Sequence, residues 1–135
     1  CDRVGRDLGE VEITAVTIVV TGSTEEQFLR SREAVRQQLA FYGTTPAYAP
    51  VFELSGRGDL HPELKRRAAL GEWEQMSALI DDEFLEEVAV VGEPAQIASQ
   101  LRDRLAGITN SVSLVNNRAP DPEHFASIVA DLHTG

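Results

Sequence analysis

The sequence predicts an α/β fold of three strand–helix units with parallel strands. Three apolar runs carry that expectation, at residues 11–20, 87–91 and 112–115, each followed by side chains spaced for one face of a helix. The first is rich in β-branched residues and apolar at both odd and even positions toward its end, the pattern of a strand buried on both faces. Strands that alternate with helices are joined by right-handed crossovers and so run parallel.

Thr21-Gly22 ends the first strand, and Ser23 with Glu26 has the spacing of a capping box. Phe28, Val35, Leu39 and Tyr42 follow on one helical face, and Gly43 is placed to close the helix in the left-handed conformation. Residues 43–60 hold Pro46, Pro50, Gly56 and Gly58, which predicts a long irregular connection of the kind that carries function in compact domains. Short helices are expected at 62–70 and 72–80, punctuated by Gly71, with Leu64, Leu70, Trp73, Met76 and Ile80 facing inward. A turn at 82–86 leads into the second strand. Gly92-Glu93-Pro94 starts the next helix, whose stripe is Ile97, Leu101, Leu105 and Ile108. After the third strand, Asp121-Pro122-Glu123 supplies an N-cap, a first-turn proline and an acid suited to the helix dipole. Phe125, Ile128, Val129 and Leu132 then form the last buried face.

A chain of 135 residues with 42% hydrophobic positions is long enough for one domain with its own core. Its 12 basic residues stand against 22 acidic ones, a net charge of -10 that excludes a generic nucleic-acid binder. Only Lys65-Arg66-Arg67 clusters cations, and it reads as a solvated helix face. A single cysteine forms no internal disulfide, which points to the cytoplasm. The longest apolar run, 15–20 interrupted by Thr17, is too short to cross a bilayer, so no membrane partner is expected. Cys1 in first position, with Met76 the sole methionine, leads us to expect a processed or truncated product.

Most signatures of chemistry are missing. No glycine-rich dinucleotide fingerprint follows the first strand, and there is no phosphate loop. His61, His124 and His133 lack metal-ligand spacing and read as cap, surface or tail residues; no metal site is expected. The acids Asp81, Asp82, Glu83, Glu86 and Glu87 read as a solvated helix start rather than a cation site. Gly92 opens a strand-to-helix turn whose amides suit an anion, opposed there by the charge of Glu93. The aromatic group Phe41, Tyr42, Tyr48 and Phe52, interleaved with Thr44, Thr45, Pro46 and Arg57, fits either the lid of a small-molecule site or core packing.

The run from Arg32 through Ala40-Phe41-Tyr42-Gly43-Thr44-Thr45-Pro46-Ala47-Tyr48 resembles the C-terminal part of luciferase-like flavin or deazaflavin oxidoreductases. Ala89-Val90-Val91-Gly92-Glu93-Pro94 and the helix after it strengthen the likeness, which is greatest to the branch using the 5-deazaflavin coenzyme F420. Members are (β/α)8 TIM barrels, so the resemblance implies that the whole chain, 1–135, is the sixth to eighth units, with residues 43–86 inserted near the substrate mouth. It implies a hydride transfer between coenzyme F420, or alternatively FMN, and a small organic substrate. The residues that meet the coenzyme ring come from the first strands, so no catalytic residue transfers to this chain. Tyr42, Thr45, Tyr48 and Arg57 are the candidates for substrate enclosure, and Gly92 for the coenzyme's anionic part. Alone the chain should be inactive, needing the N-terminal part of the barrel or a second copy. The competing readings are a non-catalytic α/β association module that dimerises or binds a partner, and a stand-alone small-molecule carrier.

Overall fold

In the computed structural model, which describes residues 5, 7–115 and 122–134, β1 (Thr14–Val20) forms the centre of a three-stranded parallel sheet. β2 (Ala89–Val91) lies on one edge, with Ile18, Val19 and Val20 opposite Ala89, Val90 and Val91. β3 (Ser111–Val115) lies on the other, in register from Thr14 opposite Ser111 to Ile18 opposite Val115. The parallel α/β architecture agrees with the sequence pattern. The strand order β2-β1-β3 adds what the pattern does not contain, because consecutive barrel units lie side by side in chain order and would put β2 in the middle. β2 has three residues and β1 seven, so β1 offers the longer edge for β3 to pair with.

The alternation of β1 explains its two-sided apolar character. Val20 and Ile18 enter a core with Val35, Leu39, Phe52, Leu64, Met76, Phe84 and Leu85. Val19 enters a second core with Val90, Ile97, Leu101 and Ile128. The first belongs to α1 (Glu25–Tyr42), α2 (Ala49–Leu54), α3 (Leu60–Leu70), α4 (Trp73–Ser77) and α5 (Asp82–Val88). The second belongs to α6 (Pro94–Leu105) and α7 (Pro122–Thr134).

Several local expectations change. Thr24, not Ser23, caps α1: its hydroxyl accepts from the Gln27 amide at 3.2 Å, while the Gln27 side chain accepts from the Ser23 amide at 2.9 Å. Gly43 is right-handed, with φ −61. Glycine is required there for space, since a Cβ would stand 2.3 Å from Leu64 Cδ1 and 2.8 Å from Phe52 Cζ. The left-handed cap belongs to Gly71, φ 74, at the end of α3.

Residues 43–60 are irregular only in part: a 3-10 turn, Pro46–Tyr48, and α2 occupy the middle, with turns on either side. Their prolines sit in first turns, where no amide hydrogen is needed. Glu87 and Val88 end α5 instead of opening β2. Leu70 and Trp73 are exposed, because the break at Gly71 turns them from the core that holds Leu64, Met76 and Ile80. α6 stops at Leu105, which leaves Ile108 outside its stripe and exposed. The Asp121 cap lies outside the described residues. Among those described, no helix is long and apolar enough to cross a membrane.

Candidate functional site

Parallel strands end on the same side of a sheet, and ligands of α/β proteins bind at those carboxyl ends. Here the turns after β1 and β2 face each other across a cleft of about 800 Å³. Gly22, Ser23, Thr24 and Glu25 line it from one turn, Gly92, Glu93 and Gln96 from the other, and His124 of α7 closes it. Gly22 makes the first turn possible: a Cβ there would fall 2.3 Å from the Phe28 backbone nitrogen, which cannot yield. A Cβ on Gly92 would meet the Gln100 amide nitrogen at 2.7 Å.

His124 is the residue that sequence reasoning missed. Its Nδ1 lies 2.7 Å from Ser23 Oγ, a contact across 101 positions that no local spacing could have announced. Its Nε2 is buried without a partner. The Gly92 amide, which the sequence offered for an anion, donates to the Val20 carbonyl at 3.1 Å. Glu25 and Glu93 put two carboxylates on the cleft, and among the described residues no lysine or arginine lines it.

The four residues expected to enclose a substrate are placed elsewhere. Tyr42, at the end of α1, stacks on Tyr48 with ring centroids 4.7 Å apart. Thr45 ties them through the backbone, its amide donating to the Tyr42 carbonyl at 2.9 Å and its carbonyl accepting from the Tyr48 amide at 3.0 Å. The stacked pair lines a smaller apolar cleft of about 320 Å³ with Val16, Ile18, Phe52 and Phe84. Gln38 also lines it and donates from Nε2 to the Tyr42 hydroxyl at 2.8 Å.

Arg57 stands apart from the tyrosines and binds three acids: Asp81 at 3.2 Å, Glu83 at 3.0 Å and Glu87 at 3.5 Å. Its guanidinium carbon lies 5.2 Å from the Phe84 ring centroid, so it reaches the tyrosine cleft only through that ring. Hydrogen bonding to Asp81 raises the Arg57 pKa, opposed by burial. Asp81 is held below its usual value, first by the Phe84 amide that caps α5 and then by Arg57. Asp82 is lowered chiefly by its hydrogen bond to Arg32, with Arg36 on its other oxygen. Asp81, Asp82, Glu83 and Glu87 thus form a network of side chains paired with arginines. Among the described residues, no group of three or more His, Cys, Asp or Glu could hold a metal ion.

The family model described as luciferase-like monooxygenase matches residues 2–109. The uncharacterized protein Mb1395 of Mycobacterium bovis is 48% identical over 110 residues, which cover 82% of this chain and 32% of that protein. The uncharacterized protein Rv1360 of Mycobacterium tuberculosis matches with the same identity and coverage. The chain therefore spans about a third of the length of the curated relatives it matches. No solved structure matches it.

Proposed function

Because the chain belongs to the luciferase-like monooxygenase family, we propose that it supplies the sixth to eighth strand–helix units of a (β/α)8 oxidoreductase barrel. The family match over residues 2–109, in a chain spanning a third of its relatives, carries this reading. The assembled enzyme transfers a hydride between F420, with FMN as the alternative, and a small organic substrate. Residues 43–86 form an insertion of that barrel, and the cytoplasm is its compartment.

The described residues of this chain do not supply a site for the coenzyme's phosphate. Among the described residues, its carboxyl-end cleft carries Glu25 and Glu93 and no lysine or arginine, and the Gly92 amide is already bonded. We therefore assign no coenzyme contact to the described residues of this segment and leave that task to the remaining units. The segment's own contribution is enclosure: Tyr42 and Tyr48 give a flat apolar wall that Thr45 holds in register, and Arg57 fixes Phe84 behind it. In the closed barrel, the edge of β1 now occupied by β3 would belong to the preceding strand, with β3 moving beyond β2.

Fluorescence titration of the purified chain with FMN and with F420 tests this division. Neither should be quenched saturably and no turnover should appear. Saturable quenching by the chain alone would overturn it in favour of a stand-alone carrier.

A second reading, an association module, is favoured by one observation. The outer edge of β3 has no partner strand among the described residues and borders a groove of about 820 Å³ that includes Leu105, Phe125, Val129 and Leu132. Unpaired strand edges next to apolar walls recruit further chains. Light scattering decides: a tight dimer with a cooperative melt supports the module, and a monomer or aggregate removes it.

A further inference from the structure

Apart from both clefts, α1 and α4 enclose a hollow of about 330 Å³. Its lining includes Ala40 and Met76, both 1% exposed. Phe41 and Trp73 also line it, at 54% and 55% exposure. Two large rings left half in water beside one hollow are uncommon for a surface that meets only solvent. Glu74 stands beside them, exposed and, among the described residues, without an ion-pair partner, whereas its neighbour Glu72 is reached by Arg67 at 3.4 Å. Gln37 donates from Nε2 to Glu33 at 3.1 Å, which leaves its carbonyl oxygen as an acceptor at the hollow. Among the described residues, no lysine or arginine lines the site, and the whole chain carries a net charge of -10.

Aromatic faces are electron-rich and attract cations, most strongly where a carboxylate adds its charge and an apolar surface takes the cation's carbon stem. We propose that this hollow binds an organic cation, an alkylammonium or guanidinium group lying against Phe41 and Trp73 with its charge toward Glu74. The cation has two possible sources, a small ammonium compound or the side chain of a basic polypeptide.

Trp73 is the sole tryptophan, so its fluorescence reports on this hollow alone. The intact chain is titrated at low ionic strength with choline and with 3,3-dimethylbutan-1-ol, the same shape without the charge. Choline should change the emission saturably and bind about ten-fold tighter than the alcohol. Glu74→Gln should weaken choline about five-fold and leave thermal unfolding unchanged, since Glu74 is exposed. A capped lysine tripeptide in a parallel titration identifies the source: tighter binding than choline assigns a polypeptide, weaker binding a small ammonium compound. Equal affinity for choline and the alcohol, no saturable change with either, or indifference of choline binding to Glu74→Gln would each overturn the proposal.

Discussion

Arg66 and Arg67 look like a basic patch in the sequence, yet both donate to Glu63, each at 2.7 Å. Their side chains lie three and four positions along the same helix, where geometry brings them onto one carboxylate. Hydrogen bonds from Arg66 and then Arg67 lower the Glu63 pKa from its usual 4.5 to about 2. Asp81 and Asp82 are lowered as well. A carboxylate whose folded pKa is depressed stabilises the fold above its unfolded pKa, and that contribution disappears as pH falls through the folded value. Stability should accordingly be flat above about pH 5 and decline between there and about pH 2. Urea titrations across that range should show Glu63→Gln with a shallower acid limb than the parent chain. At this scale the sequence is legible where partners are close in the chain. Arg57 with Asp81 and Ser23 with His124 are pairings across tertiary distance, and no spacing rule reaches them.

Among elements, existence was readable and edges were not. The stripe of Val35 and Leu39 and the run of Val19 and Val20 identify α1 and β1 because periodicity follows burial. The cap of α1 is displaced by one residue, since Thr24 with Gln27 satisfies the same geometry as Ser23 with Glu26 and both spacings occur in the sequence. Thr24→Ala should then cost about 1 kcal/mol of unfolding free energy. Glu26→Ala should stay within about 0.5 kcal/mol, because its ion pair with Arg30 is solvated. Chemical denaturation of the two variants compares them directly, and the reverse order would restore the Ser23 cap. The short helices of residues 43–60 escaped notice because prolines and glycines read as loop signals, although a proline at a first turn is also a helix start.

For the molecule as a whole, the fold class follows from strands alternating with helices, and the family from the match over residues 2–109. Strand order is invisible in the sequence, because it depends on which edge each short strand pairs with, and β3 pairs with the longer edge of β1. The candidate site was legible only in part. The tyrosine pair that the sequence grouped does meet, while the carboxyl-end cleft is assembled from turns and an α7 histidine separated by most of the chain. Among the described residues, the sheet has three strands and those carboxyl ends carry two carboxylates and no lysine or arginine, which is why the proposed barrel needs the remaining units. The most direct measurement is reconstitution: the chain joined to the part of the Mycobacterium tuberculosis relative that lies outside the matched third, assayed for F420- and FMN-dependent oxidoreduction beside each part alone. The account predicts turnover in the joined protein and none in either part, and turnover by the 135-residue chain alone would contradict it.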